Sequence, residues 1–220
     1  MNRVRIGALA GIGAALVMTC GWILAEQLQG GEYDWVSQEI SDLGALTARH
    51  AWVWNLADSL SGVLLAIFAI GLFPVVRSER AGRIGAILIG VVGVGSVIDG
   101  FVREDCPLST SQACQRLQDG PGLSWHHLAH DIESVLVFAA MLAAPFFLAK
   151  ALRRIEALRG LRPCALATGY GQLAITAAYV PLYGNAGGGI AQRLLLTAFM
   201  AWIAILSIAL LSEPDGAAPT

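Results

Sequence analysis

The chain has 220 residues, of which 56% are hydrophobic and only 14% are charged, and its formal net charge is −2. Soluble domains carry about 25% charged residues, so this composition indicates a polytopic membrane protein and excludes an ordinary soluble domain. The small net charge, together with the lack of a basic patch with interleaved aromatic residues in the sequence, excludes nucleic-acid binding.

Six apolar segments follow one another along the chain, each close to or above the length of about 20 residues that a helix needs to cross a bilayer. They cover residues 6–25, 55–76, 84–102, 130–149, 164–183 and 190–211. These segments and their connections predict an all-α bundle of six transmembrane helices. Residues 1–211 then form a single domain, and residues 212–220 form a polar C-terminal tail.

Lysine and arginine residues are distributed unequally between the two sets of loops. Ten of the fourteen fall on the side that carries both ends of the chain, whereas the other side has only Arg49, Arg103, Arg116 and Arg193. Because cytoplasmic loops are enriched in Lys and Arg, we expect both termini in the cytoplasm. All four histidines and twelve of the sixteen acids then lie on the outer side.

Glycines recur at the spacing that brings membrane helices close together. The first segment has a G-x-x-x-G pair, and the third has four glycines: Gly7 and Gly11, then Gly85, Gly90, Gly93 and Gly95. Small residues allow helix backbones to approach closely in lipid. The pattern favours tight packing within the chain, and homodimerisation through these faces is the alternative.

The fourth segment begins with the densest group of ionisable residues, S-W-H-H-L-A-H-D-I-E-S at positions 124–134. His126 and His130 are four residues apart and share a helix face, with Glu133 one turn further along. Two imidazoles at this spacing suit one metal ion, and zinc with three protein ligands keeps a position for an activated water. The third ligand would come from one of the outer acids, Asp42, Asp99 or Asp105.

A purely structural role for the same residues is the competing interpretation. Asp131 and Glu133 lie in the first turns of a helix, where the helix dipole favours acids. Ser124 is placed to cap that helix. A third interpretation assigns these side chains to acid–base or ligand contacts without a metal.

Asp99 is harder to explain structurally than the other acids. Fifteen apolar residues precede it, so it lies near the C-terminus of a helix, where the dipole disfavours a carboxylate. It either pairs with Arg103, four residues later, or belongs to a site. Asp58 lies at the start of the second segment, and Arg193 either balances these acids or binds a lipid phosphate.

Cys106 and Cys114 share one polar loop on the outer side. An oxidising exterior permits a disulfide, which we expect to close this loop. Two free thiols or a metal clip are the alternatives, although the pair lacks the C-x-x-C spacing typical of zinc sites.

Two motifs lie at the outer ends of the first and third segments. The stretch W-V-S-Q-E-I-S-D-L-G covers residues 35–44, and F-V-R-E-D-C covers residues 101–106. Together with the histidine on the fourth segment, they make the whole chain resemble a bacterial membrane family catalogued as domain of unknown function 998. The resemblance implies six helices in a bacterial plasma membrane, and it implies no settled activity.

Residues 41–44 within the first motif allow two interpretations. Ser41 and Asp42 can cap a short interfacial helix or turn, with Gly44 supplying a positive φ. Alternatively, Asp42 with Ser37 or Ser41 folds over an outward-facing pocket as a lid or ligand.

Taken together, the outer polar residues favour a metal-dependent hydrolase or transferase that acts on membrane lipids. The candidate catalytic residues are Asp42, Asp99, His126 and His130; the candidate metal ligands are His126, His130 and Asp105; the candidate binding residues are Ser37, Ser41, Asp58, Asp131, Glu133 and Arg193. A non-catalytic lipid-binding or scaffold protein is the alternative. A small-molecule transporter is less favoured, because the cytoplasmic halves of the segments have no ionisable side chain to relay protons.

Overall fold

A computed structural model describes residues 2–31, 33–107, 111–118, 122–182 and 186–212 of the chain. Its described residues form seven α-helices and no strand, so the predicted all-α class is confirmed. The helices are α1 Arg3–Gln29, α2 Ala51–Val76, α3 Arg80–Asp99, α4 Gln112–Gln118, α5 Trp125–Leu152, α6 Arg162–Tyr179 and α7 Gly188–Ser212. Each of the six apolar segments contributes one long helix. The predicted tail, apart from Ser212, lies outside the described residues.

Five of these helices are long and apolar enough to cross a membrane, namely α1, α2, α3, α5 and α7. The chain is therefore a multi-pass membrane protein. Helix α6 has 18 residues and does not meet the same standard, because polar residues such as Arg162 and Gln172 lower its hydropathy. The sixth span, and with it the location of both termini, stays a prediction.

The long helices pack in a closed ring. In order around it, α1 contacts α2, α2 contacts α3, α3 contacts α5, α5 contacts α6, α6 contacts α7, and α7 contacts α1. Large apolar side chains from four of these helices fill the interior and are almost fully buried: Phe68, Leu65 and Leu72 of α2, Ile89 of α3, Met141 and Leu148 of α5, and Phe199 and Trp202 of α7. Many other apolar side chains are exposed on the outside, as expected where the solvent is lipid.

Glycines allow the helices to approach closely within the chain. A Cβ at Gly7 would lie 2.7 Å from the Cα of Gly71, and a Cβ at Gly93 would lie 2.7 Å from the backbone nitrogen of Ala66. These distances are shorter than van der Waals contact, so α1 and α3 pack on α2 through bare backbone. Homodimerisation through the glycine-rich faces stays a prediction.

The helix carrying the histidines begins at a true cap. The Ser124 side chain accepts a hydrogen bond from the backbone N–H of His127 at 3.2 Å, as the sequence predicts. The preceding loop is closed by a disulfide between Cys106 and Cys114, whose Cα atoms are 5.9 Å apart. Helix α4, which the sequence did not reveal, carries Cys114 and so sits against the start of this loop.

The S-D-L-G motif forms a short 3₁₀ helix, Ser41–Gly44. The expected positive φ at Gly44 is wrong; among the described glycines a positive φ occurs at Gly30 and Gly187. Gly44 is instead required by close packing, because a Cβ there would lie 2.8 Å from Cδ1 of the Trp54 indole. The motif is thereby held against the first turn of α2.

Candidate functional site

Three ionisable side chains from two helices converge inside the bundle. Asp99 is the last residue of α3, and His130 and Glu133 lie one turn apart on α5. Within the part of the chain that the structure describes, one potential ligand atom from each of the three lies within 4.8 Å of the other two. The closest pair is His130 Nδ1 and Asp99 Oδ1, at 2.6 Å. Asp99 and His130 are thus brought together, as the sequence analysis proposed for its outer acids and histidines.

The three converging atoms have few polar partners besides one another. His130 Nδ1, Asp99 Oδ1 and Glu133 Oε1 are buried and have no hydrogen-bond partner among the described residues. His130 Nδ1 and Asp99 Oδ1 nevertheless lie within ion-pair distance of each other, at 2.6 Å. Leaving a buried carboxylate oxygen such as Glu133 Oε1 without a hydrogen-bond partner is costly, and its position beside this ion pair marks a place where a cation or a water would be stabilised.

Glu104 holds the opposite side of the His130 ring. Its Oε1 lies 2.9 Å from His130 Nε2, and both side chains are buried. Metal-binding histidines usually give their second ring nitrogen to a carboxylate, which fixes the tautomer and leaves the first nitrogen free to bind. With Nε2 directed to Glu104, His130 presents Nδ1 to Asp99 and Glu133.

Asp58 extends the cluster onto α2. Its side chain is 4% exposed, and it lies within hydrogen-bonding reach of Asp99 and Ser96. Two adjacent carboxyl groups in a buried site can both be accommodated when they share a proton or a cation. Asp58, a predicted binding residue, is therefore part of the cavity wall.

The cluster faces an internal cavity of about 60 Å³. Five helices contribute to its wall, with Met18 from α1, Asp58 from α2, Asp99 from α3, His130 and Glu133 from α5, and Gln192 from α7. One water needs about 10–15 Å³ of such space, so the cavity has room for a few waters, or for an ion with water bound to it. The rest of the wall is mostly apolar, which strengthens electrostatic interactions inside.

Gly95 gives Glu133 the room to reach the cluster. It lies on α3 one turn before Asp99, and a Cβ at this position would collide with Glu133 Oε1 and with Val137. The absence of a side chain at this point lets α3 and α5 pack closely while the carboxylate of Glu133 lies between them.

A second polar group lies where the outer loop meets α5. The backbone N–H of Ser124 donates to Asp105 Oδ2 at 2.8 Å, and Asp105 Oδ1 lies 3.7 Å from His126 Nε2. His126 Nδ1 lies 2.7 Å from the carbonyl oxygen of Arg103. Burial acts to raise the pKa of Asp105, but hydrogen bonds from Ser124 and the nearby histidines lower it overall. These contacts join the loop to the start of the helix.

The expected ligand set of His126, His130 and Asp105 is not brought together. His126 and Asp105 are used in the loop contacts, and His130 joins Asp99 and Glu133 instead. The physical reason is the contact between the loop and the start of α5, where Asp105 accepts a hydrogen bond from the Ser124 N–H and His126 Nδ1 lies beside the carbonyl oxygen of Arg103. The residue pair one turn deeper in the helix is left to face the bundle interior.

His127 and Asp131 also belong to this outer group. His127 is fully buried, and its Nδ1 accepts a hydrogen bond from the backbone N–H of Asp105 at 2.9 Å. Its Nε2 lies 3.9 Å from Asp131 Oδ1. Asp131, a predicted binding residue, is therefore placed beside the loop contacts rather than in the cavity wall.

Arg193 anchors the first outer loop rather than balancing the acids of the cluster. Its guanidinium donates to Tyr33 Oη at 2.6 Å, to Glu26 Oε2 at 3.3 Å and to the carbonyl oxygens of Gln38 and Gly189, each at 2.9 Å. The residue is only 7% exposed. Burial raises the pKa of the Tyr33 phenol well above its ordinary value, although Arg193 opposes this, so the phenol stays neutral and donates to a backbone carbonyl.

The remaining candidates of this loop make local contacts. Asp42 Oδ2 accepts a hydrogen bond from the backbone N–H of Glu39 at 2.9 Å, and Ser37 hydrogen-bonds to the Asp34 side chain. Ser41 begins the 3₁₀ helix. The structure does not bring these residues to the cavity wall. The loop is nevertheless close to that wall, since Gln192 of the wall contacts Ile40 and Glu39.

Sequence reasoning missed Glu104 and Ser96 as members of the site. Glu104 belongs to the F-V-R-E-D-C stretch, which the sequence shows only as a motif. The neighbouring acid of that stretch, Asp105, was predicted as the metal ligand instead. Its position after Asp99 in an outer loop is a usable signal, since a loop five residues past a helix end can fold back over it. Ser96 lies one turn before Asp99 on the same helix face.

The fold and the site together define a multi-pass helical membrane protein with a buried carboxylate–histidine cluster around an internal cavity. This chain belongs to the family described as "Protein of unknown function (DUF998)", whose pattern matches residues 11–209. No curated protein and no solved structure matches the chain significantly.

Proposed function

We propose that this protein is a membrane-embedded enzyme that binds a divalent metal ion, with zinc as the first candidate, and hydrolyses or transfers a group of a membrane lipid. The observation that carries the proposal is the convergence of three buried atoms that have no hydrogen-bond partner among the described residues: Asp99 Oδ1, His130 Nδ1 and Glu133 Oε1. One imidazole nitrogen and two carboxylate oxygens form a donor set that zinc accepts.

The surroundings of the three atoms suit a catalytic rather than a purely structural metal. Structural zinc sites are closed by four protein ligands, whereas catalytic ones have three and keep one position for water. The cavity of about 60 Å³ supplies space for that water, whose pKa a metal would lower towards neutrality. Asp58, within reach of Asp99, is placed to accept or return a proton.

The proposal also includes a membrane topology. Six spans with both termini in the cytoplasm of a bacterial cell would place the cluster at the outer side of the plasma membrane. Two observations support this arrangement: helix α6 completes the ring between α5 and α7, and the Lys and Arg residues concentrate on the other side of the bundle. A site at the outer interface would meet the head groups and ester bonds of outer-leaflet lipids.

Metal analysis of the purified full-length protein tests the proposal. We expect near-stoichiometric zinc in the wild type in detergent and loss of that metal in His130→Ala. The matched control is His126→Ala, which removes the same side chain one turn earlier on the same helix, from the loop contacts, and should retain the metal.

A second measurement addresses catalysis. Vesicles of mixed phospholipids are incubated with the wild type and with Asp58→Asn, and lipid products are followed by mass spectrometry. We expect products from the wild type, and a variant that keeps its metal but loses turnover. Metal content equally low in all variants would remove the metal from the proposal, and bound metal without lipid turnover would make the protein a non-catalytic one.

A further inference from the structure

A long apolar groove runs along the outside of the bundle, between α2, α3 and α5. Its volume is about 1060 Å³. Six large apolar side chains that line it show its character: Ile70 and Phe73 of α2, Val94 and Ile98 of α3, and Ile132 and Leu136 of α5. All six side chains are exposed on the outside of the bundle. The groove is therefore an unfilled surface that faces lipid.

Polar residues border the groove at both ends. Arg3 and Arg77 lie at one end, and Glu133 lies towards the other. Lining residues of α3 run from position 86 to position 98, which corresponds to about 18 Å along a helix that rises 1.5 Å per residue. The apolar part of the groove therefore has a length comparable with one leaflet of a bilayer interior about 30 Å thick.

Glu133 connects the groove to the internal cavity. The same side chain lines the groove on one side and the cavity with the cluster on the other. Val137, one turn further along α5, also lines both. A molecule lying in the groove with its polar part at this end would thus place that part next to Asp99, His130 and Glu133.

We propose that the groove binds an acyl chain of a membrane phospholipid, with the head group at the Glu133 end. The assignment of this phospholipid as the substrate and the orientation of its head group rest on the proposed function, whereas the binding of the acyl chain in the groove does not. A divalent cation held at the cluster would offset the charges of the Asp99 and Glu133 carboxylates and leave a coordination position for a phosphate or ester oxygen of the lipid.

A phospholipid fits the groove better than a helix of another protein. An apolar helix packed along the groove would cover Glu133 with hydrocarbon and leave its carboxylate without water or a partner, which is costly. A phospholipid covers the apolar residues with its chain and brings its own polar groups to the carboxylate end. The volume of about 1060 Å³ is also slightly above the upper limit of the range for small-molecule sites, about 300–1,000 Å³.

Photo-crosslinking in reconstituted vesicles tests the binding. The full chain is placed in phosphatidylcholine bilayers that contain a phosphatidylcholine with a diazirine in the middle of one acyl chain, and adducts are mapped by peptide mass spectrometry. We expect adducts to concentrate on Ile70, Val94 and Leu136. Reference positions are Leu16 of α1 and Ile208 of α7, which are also exposed but lie outside the groove.

Filling the groove provides the matched comparison. Val94→Trp should reduce groove adducts about tenfold, the change that results from excluding about two methylene groups from a binding surface. Ile208→Trp makes the same chemical change on a face outside the groove and should leave them unchanged. If Val94→Trp does not fold, Ile70→Trp fills the groove from the opposite helix and replaces it.

The outcomes separate this inference from the proposed function. Equal labelling of groove and reference positions would show only the lipid that surrounds any membrane protein, and it would overturn the inference whether or not metal is bound. Concentrated labelling in a wild type that binds no metal would support the groove and remove the metal-dependent activity. We expect labelling to persist in His130→Ala, because the chain contacts do not involve the imidazole.

Discussion

Replacing Gly95 by alanine is the most sensitive test of how the cluster is assembled. The new methyl group would occupy the space of Glu133 Oε1 and of a Val137 methyl. Gly90 lies on the same helix and the same groove, but a Cβ there would be 3.7 Å from the nearest atom, the Cβ of Ala69, which is ordinary contact. Gly90→Ala is therefore a matched control for the same chemical change.

The expected difference follows from two opposing terms. Alanine in place of glycine within a helix stabilises by about 0.5–1 kcal/mol, and this gain applies at both positions. Overpacking a well-packed interior costs about 1–3 kcal/mol, and this cost applies only at Gly95. We expect Gly95→Ala to lower the free energy of unfolding by up to about 2 kcal/mol and Gly90→Ala to leave it equal or raise it.

Thermal unfolding in detergent and zinc titration measure the two effects separately. If Glu133 is a metal ligand, its displacement in Gly95→Ala should weaken metal affinity by at least about tenfold, the lower limit reported for disturbed ligand shells, and Gly90→Ala should bind as tightly as the wild type. Equal stability and equal affinity of the two variants would refute the packing that this structure assigns to Gly95 and Glu133.

Three further predictions concern the elements around the site. Replacing both Cys106 and Cys114 by serine should lower the free energy of unfolding by about 2.5 kcal/mol from loop entropy, and the loss should match that of the reduced wild type in thermal unfolding. Arg193→Met should cost about 3 kcal/mol, because Glu26 is left partly buried without its partner; a loss below about 1 kcal/mol would contradict this role. The pKa of Asp105 is lowered in the folded protein, so its carboxylate stabilises the fold above the ordinary carboxyl pKa of about 4, and this stabilisation is lost as the pH falls through the folded-state pKa. The free energy of unfolding of Asp105→Asn should therefore decrease less on acidification than that of the wild type.

The helices were predictable from hydropathy because lipid-facing and buried positions of a membrane helix are both apolar. Each predicted segment coincides with an observed helix to within a few residues at either end. Helix α6 shows where this signal weakens, since an 18-residue helix with Gln172 near its middle packs into the ring yet lacks the hydropathy of its neighbours.

The site was predictable only in part. Asp99 and His130 were identified because an acid at a helix C-terminus and a histidine at membrane depth are both unfavourable without a partner. The prediction of His126 as a metal ligand was wrong because the four-residue spacing shows only that two rings share a helix face. It does not show which ring contacts the preceding loop. Glu104 reaches His130 from an irregular loop, where sequence periodicity carries no information about direction.

The position of α7 in the ring has a consequence for biosynthesis. Gln192, Leu196 and Met200 of this helix form one side of the cavity wall, and α7 is made after every other helix. Until α7 leaves the translocon and packs beside α1, the side of the cavity that holds Asp58 and Asp99 is not covered by this helix. A chain that ends before α7 would therefore expose these carboxyl groups to hydrocarbon, at a free-energy cost that the closed ring avoids.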